Sequence, residues 1–182
     1  MQLLTTHRLV LRKPKETDVR FFHQLSSDPL IALSAGWLLH DKMKQSINTL
    51  NDFSHDGGIW AIVDRLTNNM IGIIGLVDDP KRNNPKAKMI GYALHEDFWG
   101  QGIATEACRA VVHFGFNALN LDLICAYIYT YNNRSKKTLA NCNFRLEGVL
   151  RKTNFINGQY LDEACFSLTR QEYIKDNEQN FK

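Results

Sequence analysis

Residues Phe98-Trp99-Gly100-Gln101-Gly102-Ile103-Ala104-Thr105-Glu106-Ala107 decide the fold of this 182-residue chain. A strand-like run, Lys88–His95, leads into them, and an amphipathic helix pattern starts at Ile103. Gly100 and Gly102 allow a tight turn and a close approach to the backbone. The first N–H groups of a helix have no partner within it and lie at the positive end of its dipole. The stretch therefore predicts a loop that binds a phosphate or pyrophosphate, although an ordinary glycine-containing turn would use the same residues.

A second informative segment runs from residue 132 to residue 144, with the sequence Asn-Asn-Arg-Ser-Lys-Lys-Thr-Leu-Ala-Asn-Cys-Asn-Phe. It follows another strand-like run, Leu123–Tyr129. Taken alone, its first four residues predict a turn and the N-cap of a helix. Asn143 suits the left-handed conformation that ends many helices.

Together the two segments resemble the GNAT superfamily of N-acetyltransferases, which use acetyl-coenzyme A. The loop pattern of that family is Arg or Gln, two residues, Gly, one residue, then Gly or Ala. Its positions fall on Trp99, Gly102 and Ala104, so Trp99 stands where the family often has Arg or Gln. The later family pattern, Asn-x-x-Ser and a helix ending in Lys-x-Gly-Phe, falls on Asn132, Ser135, Asn141, Asn143 and Phe144.

Three further stretches are similar to the ribosomal-protein N-terminal acetyltransferase branch of this superfamily, the Rim type. They are the opening Thr-x-Arg-Leu-x-Leu-Arg at 6–12, Ile90-Gly91-Tyr92, and Trp-Gly-Gln-Gly-Ile-Ala-Thr-Glu-Ala at 99–107. The resemblance spans nearly the whole chain. It implies the GNAT-like (acyl-CoA N-acyltransferase) fold and acetyl-CoA as cosubstrate.

Hydrophobic periodicity predicts an α+β fold with a central, mixed but mostly antiparallel sheet and helices on both faces. The predicted strands are 8–12, 59–63, 70–77, 88–95, 123–129, 145–153 and 160–168, with an Asn157-Gly158 turn between the last two. The first predicted helix begins within 13–18 and ends at Asp28-Pro29. The other predicted helices begin at Asp41 as N-cap, at Ile103 and at Arg134. We expect one domain, 1–175, and a polar C-terminal tail, 176–182, with the chain frayed after Tyr173.

Composition and charge argue against some classes of function, namely membrane and nucleic-acid binding. The chain is 44% hydrophobic and 23% charged, which is typical of a globular protein. No apolar run is long enough to span a bilayer and no signal-peptide pattern opens the chain, so we expect a cytoplasmic protein without membrane contact. A net charge of +3 gives little support to nucleic-acid binding, for which the candidate residues would be Lys81, Arg82, Lys86 and Lys88.

The spacing of the four cysteines bears on metal binding and on the core. They are far apart and form no C-x-x-C pair, which predicts neither a zinc site nor any other metal centre. Cys108 and Cys125 fall on apolar faces and should pack in the core.

The resemblance implies a set of cofactor contacts. Backbone N–H groups from Trp99 to Ala104 would bind the pyrophosphate. The strands 88–95 and 123–129 would splay apart around the pantetheine arm, and an N–H near Leu94 would polarise the thioester carbonyl, unless the strands simply pair. The cofactor-binding residues predicted in this way are Leu94, Trp99, Gly100, Gln101, Gly102, Ile103, Ala104, Thr105, Asn132 and Ser135.

Acetyl transfer also needs a base for the amine and an acid for the leaving thiolate. Many superfamily members have a general-acid Tyr four residues after the matching Ser, where this chain has Leu139. Ser135 is therefore our candidate acid, with Tyr129 or Tyr131 as substitutes. Glu96 is the candidate base, although it and its neighbours His95 and Asp97 could equally be solvated loop residues. Glu106, in the first turn of a helix, suits a structural role better than a catalytic one.

The acceptor pocket should come from the first two helices and the closing hairpin. Trp37 is the candidate substrate-binding residue there, since a large ring beside a glycine often forms the wall of a pocket, although it could equally belong to the core. We expect a primary-amine acceptor, foremost the N-terminus of a protein, on a monomeric or homodimeric enzyme. The alternatives are a small-molecule amine (polyamine, amino acid or antibiotic) as acceptor, or a CoA-binding module without turnover.

Overall fold

The computed structural model describes residues 1–156 and 158–179. The strands in this part are β1 (Leu4–Thr5), β2 (Leu9–Arg12), β3 (Ile59–Asp64), β4 (Met70–Asp78), β5 (Ala87–Leu94), β6 (Leu123–Tyr129), β7 (Arg145–Ile156) and β8 (Gln159–Thr169). The α-helices are α1 (Val19–Ser27), α2 (Pro29–Ala35), α3 (Met43–Asp56), α4 (Ile103–Asn117), α5 (Asn133–Asn141) and α6 (Arg170–Gln179).

The strands form a mixed sheet in the order β1-β2-β3-β4-β5-β6-β8-β7. The first four strands are joined by antiparallel pairs, and so are β6 with β8 and β7 with β8. β5 and β6 run parallel and are registered over three residue pairs, from Ala87–Leu123 to Met89–Cys125. The predicted fold class is confirmed.

The chain forms two compact units. The first contains residues 1–77 and 91–111, and the second contains residues 78–90 and the described residues from 112 onward. β4, β5 and α4 contribute residues to both units. The expectation of one domain over 1–175 stays a prediction.

Most predicted elements are confirmed within a residue or two, and the differences have local causes. Asp28-Pro29 ends α1 as expected but also begins α2, because the Asp28 carboxylate accepts from the N–H groups of Leu30 and Ile31 at 2.7 and 3.2 Å. Pro29 then occupies the first helical turn, where a missing N–H costs nothing.

Other boundaries correct the sequence prediction. The N-cap of α3 is Lys42 and not Asp41, and the short strand β1 had no pattern long enough to detect. Residues 170–179 are helical, so the prediction of fraying after Tyr173 is wrong for this stretch. Asn157, half of the predicted Asn157-Gly158 turn, lies outside the described residues, as do residues 180–182.

The first unit is organised around one hydrophobic cluster, in which helices α1 to α3 pack on β3, β4 and the end of β5. Its buried members are Phe22, Leu25, Ile31, Leu50, Ala61, Val63, Met70, Ile73 and Ala93. Partly buried Trp37, Phe53 and Trp99 pack against it. This set of residues, called the unit-1 cluster below, connects the end of β5 to the first three helices.

Gly72 sets how closely β4 approaches β5. A β-carbon at this position would lie 2.4 Å from the Ala93 carbonyl oxygen and 3.1 Å from Leu94 Cα. Both are backbone atoms that cannot move aside as a flexible side chain can. Gly72 therefore holds the end of β5 at its observed position.

We expect Gly72→Ala to lower the free energy of unfolding by about 1–3 kcal/mol, because the added methyl group must displace the β5 backbone. The measurement is the urea-unfolding midpoint. Gly91→Ala, also on β5, is the matched control, since no described atom lies within 4 Å of a β-carbon there. Equal midpoints for the two variants would contradict the close approach at Gly72.

Candidate active site

The glycine loop has the backbone conformation that its sequence predicts. Gly100 and Gly102 have φ angles of 74° and 76°, a region in which side chains are strained. A β-carbon would meet no described atom within 4 Å at Gly100, and at Gly102 would meet Arg8 Nη2 at 3.7 Å. The glycines are thus needed for conformation, and the space beside them is open.

The loop passes directly into α4, whose first residues are Ile103, Ala104 and Thr105. The Glu106 N–H donates to the Gly102 carbonyl at 3.0 Å, so the N–H groups of the residues between them belong to the first turn of the helix. This geometry suits a diphosphate, because backbone donors and the positive end of the dipole coincide there.

Trp99 fixes the loop against the end of β5. Its indole Nε1–H donates to the Leu94 carbonyl at 2.8 Å, and its backbone N–H donates to the Glu96 carbonyl at 2.9 Å. Its ring packs against the unit-1 cluster. Where the family often has Arg or Gln, this chain therefore has a side chain that holds the backbone in place.

An ion pair supports the loop from the other end of the sequence. The Arg8 Nε–H donates to Glu106 Oε2 at 2.7 Å, and Arg8 Nη1 donates to the Gln101 carbonyl at 2.9 Å. Glu106 Oε1 accepts from the Arg8 backbone N–H at 2.9 Å and from the Thr6 hydroxyl at 2.6 Å. The sequence showed Thr6 and Arg8 as part of a family-like opening but gave no sign of what they contact.

These contacts shift the ionisation of Glu106. Burial opposes the charged form and is the largest single influence, but the hydrogen bonds from Thr6 and Arg8 together outweigh it. The pKa of the Glu106 carboxyl therefore lies below its ordinary value. Glu106 has the structural role that its place in the first helical turn indicates.

The candidate base lies on the turn between β5 and the glycine loop. Glu96–Phe98 forms a single 3-10 turn, in which Glu96 and Asp97 are exposed. His95 Nδ1 lies 3.3 Å from Asp97 Oδ2, and the His95 N–H donates to the Ile71 carbonyl at 2.9 Å. Glu96 is accessible to a substrate, and its role as base stays a prediction.

In the second unit, Asn132 and Ser135 form the start of α5. Asn132 is the N-cap, and its Oδ1 accepts from the Ser135 N–H at 3.1 Å. The cap predicted from the sequence is confirmed, and Asn143 has a φ of 63°, in the left-handed region as expected. Leu139 is fully buried, so the position at which the family resemblance would lead one to expect a general-acid Tyr is part of the core here.

Tyr129 and Tyr131, at the end of β6, are stacked with ring centroids 5.5 Å apart. Burial raises the pKa of both phenols, and for Tyr129 the charges of Glu163 and Tyr131 add to the effect. Both therefore stay protonated at neutral pH, the form that a proton donor needs. Tyr129 is 5% exposed and Tyr131 is 47% exposed, which makes Tyr131 the more accessible of the two.

The basic residues considered for nucleic-acid binding are mostly neutralised by carboxylates. Arg82 pairs with Asp79 at 2.8 Å and also with Glu147, Lys88 pairs with Asp78, and Lys81 pairs with Glu163. Burial alone would raise the pKa of the Asp79 carboxyl. Hydrogen bonds from Arg82 and from other groups around the carboxylate outweigh burial, so the pKa of Asp79 lies below its ordinary value. These pairs fix the loop after β4 in the second unit.

Trp37 follows the C-cap Gly36 of α2 and packs against the unit-1 cluster, while its indole nitrogen is buried. Cys108 and Cys125 are fully buried, as predicted. Within residues 1–156 and 158–179, no group of three or more His, Cys, Asp or Glu side chains could hold a metal ion. No helix in that part of the chain has both the length and the apolar character needed to cross a membrane.

Leu94 is the last residue of β5 and is buried. β5 and β6 are in parallel register from Ala87–Leu123 to Met89–Cys125. The splay of the strands beyond these pairs, and a Leu94 N–H directed at a thioester, stay predictions.

The sequence is similar to those of known acetyltransferases. Residues 8–145 match the family described as acetyltransferase (GNAT) domain. The uncharacterized N-acetyltransferase p20 of Bacillus licheniformis is 33% identical over 180 residues, covering 95% of this chain and 99% of that protein. The putative ribosomal N-acetyltransferase YdaF of Bacillus subtilis is 32% identical over 90 residues, 50% of this chain and 49% of that protein.

The fold is shared with solved structures. The spermidine N-acetyltransferase of Vibrio cholerae, solved in complex with CoA and spermine, superposes with a TM-score of 0.80. The sequence identity is 22%, and the match covers 93% of this chain and 99% of that one. At this identity, the likeness shows the fold.

We expect the link between Glu106 and Arg8 to make stability depend on pH. Since the pKa of Glu106 is lowered from an ordinary value of 4.5, its carboxylate stabilises the fold above that pH, and the contribution is lost as the pH falls through the lowered pKa. Glu106→Gln should therefore cost about 1 kcal/mol near pH 7, allowing for the partial exposure of Arg8. The difference from the wild-type chain should shrink as the pH falls below 4.5 and through the lowered pKa.

The measurement is the urea midpoint of both chains across this pH range. Glu178→Gln, at an exposed residue of α6, is the control for the loss of a carboxylate as such. A deficit for Glu106→Gln that stays constant down to the lowest pH would contradict the assigned role of the charge.

Proposed function

Because this chain belongs to the GNAT acetyltransferase family, and is therefore an acetyl-CoA-dependent N-acetyltransferase, we propose that its acceptor is the N-terminal amine of a protein. One observation carries the proposal. Two separate stretches that resemble the Rim-type branch, 6–12 and 99–107, are joined by the hydrogen bonds of Arg8 to Gln101 and Glu106. The branch-like residues thus form one structural unit around the glycine loop. The partial similarity to YdaF, named as a putative ribosomal N-acetyltransferase, supports the same acceptor.

The glycine loop is proposed to hold the diphosphate of acetyl-CoA. The positive φ angles of Gly100 and Gly102, the first turn of α4 and the open space beside Gly100 support this assignment. Arg8 adds a positive charge close to the loop through its contact with the Gln101 carbonyl. Asn132 and Ser135 are proposed to contact the pantetheine arm, as the family pattern implies.

The proposed reaction is direct transfer. The uncharged amine nitrogen attacks the thioester carbonyl carbon, an amide C–N bond forms, and the C–S bond breaks to release the CoA thiolate. Glu96 would accept the proton that the amine loses, directly or through water. Ser135, or Tyr131 with its raised pKa, would supply the proton that the thiolate gains.

The test of the function is free-thiol release by the full chain with acetyl-CoA and a panel of amines. We expect release with a short peptide carrying an unblocked N-terminal alanine, and acetylation at its α-amine by mass spectrometry. The same peptide with a blocked N-terminus is the matched control. Spermidine is the rival acceptor, since a spermidine acetyltransferase shares this fold. Turnover of spermidine without turnover of the peptide would overturn the proposal.

We expect Ser135→Ala to separate chemistry from binding. It should lower kcat by about a hundredfold, the usual scale of general acid catalysis, while calorimetry shows CoA binding nearly unchanged. Gly102→Trp should show the opposite behaviour and lose CoA binding, because the ring would fill the anion site. Gly102→Ala controls for strain at the positive φ of this position. Unchanged turnover in Ser135→Ala would rule out its role as acid.

A further inference from the structure

The guanidinium of Arg8 lies beside the glycine loop with part of its hydrogen-bonding capacity unused. Its Nε–H donates to Glu106 Oε2 at 2.7 Å, and its Nη1 donates to the Gln101 carbonyl at 2.9 Å. Within residues 1–156 and 158–179, Nη2 has no hydrogen-bond acceptor. Because a guanidinium carries five N–H donors in a rigid planar fork, the two donors on Nη2 are available to a further partner.

The same nitrogen borders the place where the loop suits an anion. A β-carbon added to Gly102 would lie 3.7 Å from Arg8 Nη2, so Nη2 adjoins the space that the missing side chain leaves open. Gly102 directly precedes the first turn of α4, whose backbone N–H groups suit a diphosphate. The Arg8 side chain is 40% exposed, so a ligand can approach it from solvent.

The guanidinium is held in place before any ligand binds. Glu106 Oε1 accepts from the Arg8 backbone N–H at 2.9 Å, while Oε2 accepts from the Arg8 side chain. The backbone and the side chain of Arg8 are thus bonded to one carboxylate, and Nη1 is bonded to the loop itself. A group that is already ordered loses little rotamer freedom when it meets a ligand, which favours binding.

The chemistry of Nη2 selects the kind of partner. A guanidinium only donates, so the partner must be a hydrogen-bond acceptor. Its charge-assisted hydrogen bonds to phosphate oxygens are about twice as strong as hydrogen bonds between neutral groups. A phosphate therefore suits both the helix N–H groups and the guanidinium that border Gly102.

We propose that Arg8 is a further cofactor-binding residue, whose Nη2 donates to the diphosphate of acetyl-CoA at the glycine loop. The inference rests on the proposed placement of that diphosphate, and it adds a side-chain contact to a site built so far from backbone donors. Trp99 stands where the family often has Arg or Gln. Arg8 supplies the cation from another part of the chain.

One physical alternative is that Arg8 acts only on Glu106, by neutralising a carboxylate that would repel the diphosphate. Arg8→Lys would still neutralise Glu106, because an ammonium group can form the same ion pair. It would not present a second donor beside Gly102 while it holds Glu106, since the three N–H bonds of lysine share one nitrogen. Arg8→Lys therefore separates the two accounts.

The first experiment measures CoA binding to the full chain by calorimetry. We expect Arg8→Lys to raise the Kd of CoA about tenfold, while the urea midpoint stays near that of the wild-type chain because the ion pair is kept. Arg65→Lys is the matched control, since Arg65 Nη1 donates to the Thr6 and His7 carbonyls of the same N-terminal stretch. An unchanged Kd for Arg8→Lys, or an equal rise for Arg65→Lys, would overturn the inference.

The same titration with 3′-dephospho-CoA identifies the phosphate that Arg8 contacts. This ligand keeps the diphosphate and lacks the phosphate on the ribose. We expect Arg8→Lys to weaken the binding of both ligands by the same factor. A loss confined to CoA would place the contact at the 3′-phosphate and overturn the assignment to the diphosphate.

The second experiment detects the hydrogen bond in the wild-type chain, so it decides even if Arg8→Lys fails to fold. Nuclei on the two sides of a hydrogen bond share a scalar coupling. We expect such a coupling between an Arg8 guanidinium 15N and a diphosphate 31P of bound CoA. The backbone 15N nuclei of Gly102 and Ile103, at the start of α4, are the internal controls.

The two proposals fail in different ways. If the wild-type chain binds no CoA, or its loop amides show no coupling to the diphosphate, the proposed placement of the cofactor fails. If the loop amides show the coupling and Arg8 does not, the placement stands and the role of Arg8 fails.

Discussion

The link between Glu106 and the Thr6–Arg8 stretch is the constraint on which the site depends. Glycine has many accessible backbone conformations and loses more freedom on folding than other residues, so a loop with two left-handed glycines needs contacts from outside to hold one conformation. Glu106, in the first turn of α4, receives hydrogen bonds from Thr6 and Arg8, and Arg8 also holds the Gln101 carbonyl. Residues about a hundred positions apart in the chain thereby hold the loop at Gln101 and at the first turn of α4.

A second support comes from hydrophobic packing. Trp99 ties the loop to the Leu94 carbonyl and to the unit-1 cluster, and the same cluster holds the end of β5 and the three N-terminal helices. The proposed diphosphate site and Trp37, the predicted substrate-binding residue, therefore pack against the same core. A change in that core would affect cofactor binding and acceptor recognition together, whereas Ser135 and Tyr131 lie in the other compact unit.

The most accurate predictions of secondary structure came from patterns that lie within a few neighbouring residues of the sequence. β6 and the start of α4 have the predicted bounds, because an apolar run and a 3.6-residue periodicity are complete within each element. The Asn132 cap and the left-handed Asn143 follow from the backbone preferences of asparagine. The same reasoning missed α2, because Asp28-Pro29 satisfies both the rule for ending a helix and the rule for starting one.

The amino-acid sequence was sufficient for the fold class, the glycine loop, the cap of α5 and the family-like patterns, since each depends on the conformational preferences of neighbouring residues. The folded chain was needed to show that Arg8 supports the loop, that Leu139 is buried, and that the Trp37 indole nitrogen has no hydrogen-bond partner among the described residues. Those facts depend on which distant groups meet in space. Hydrogen bonding and burial are properties of such meetings, and no local pattern encodes them.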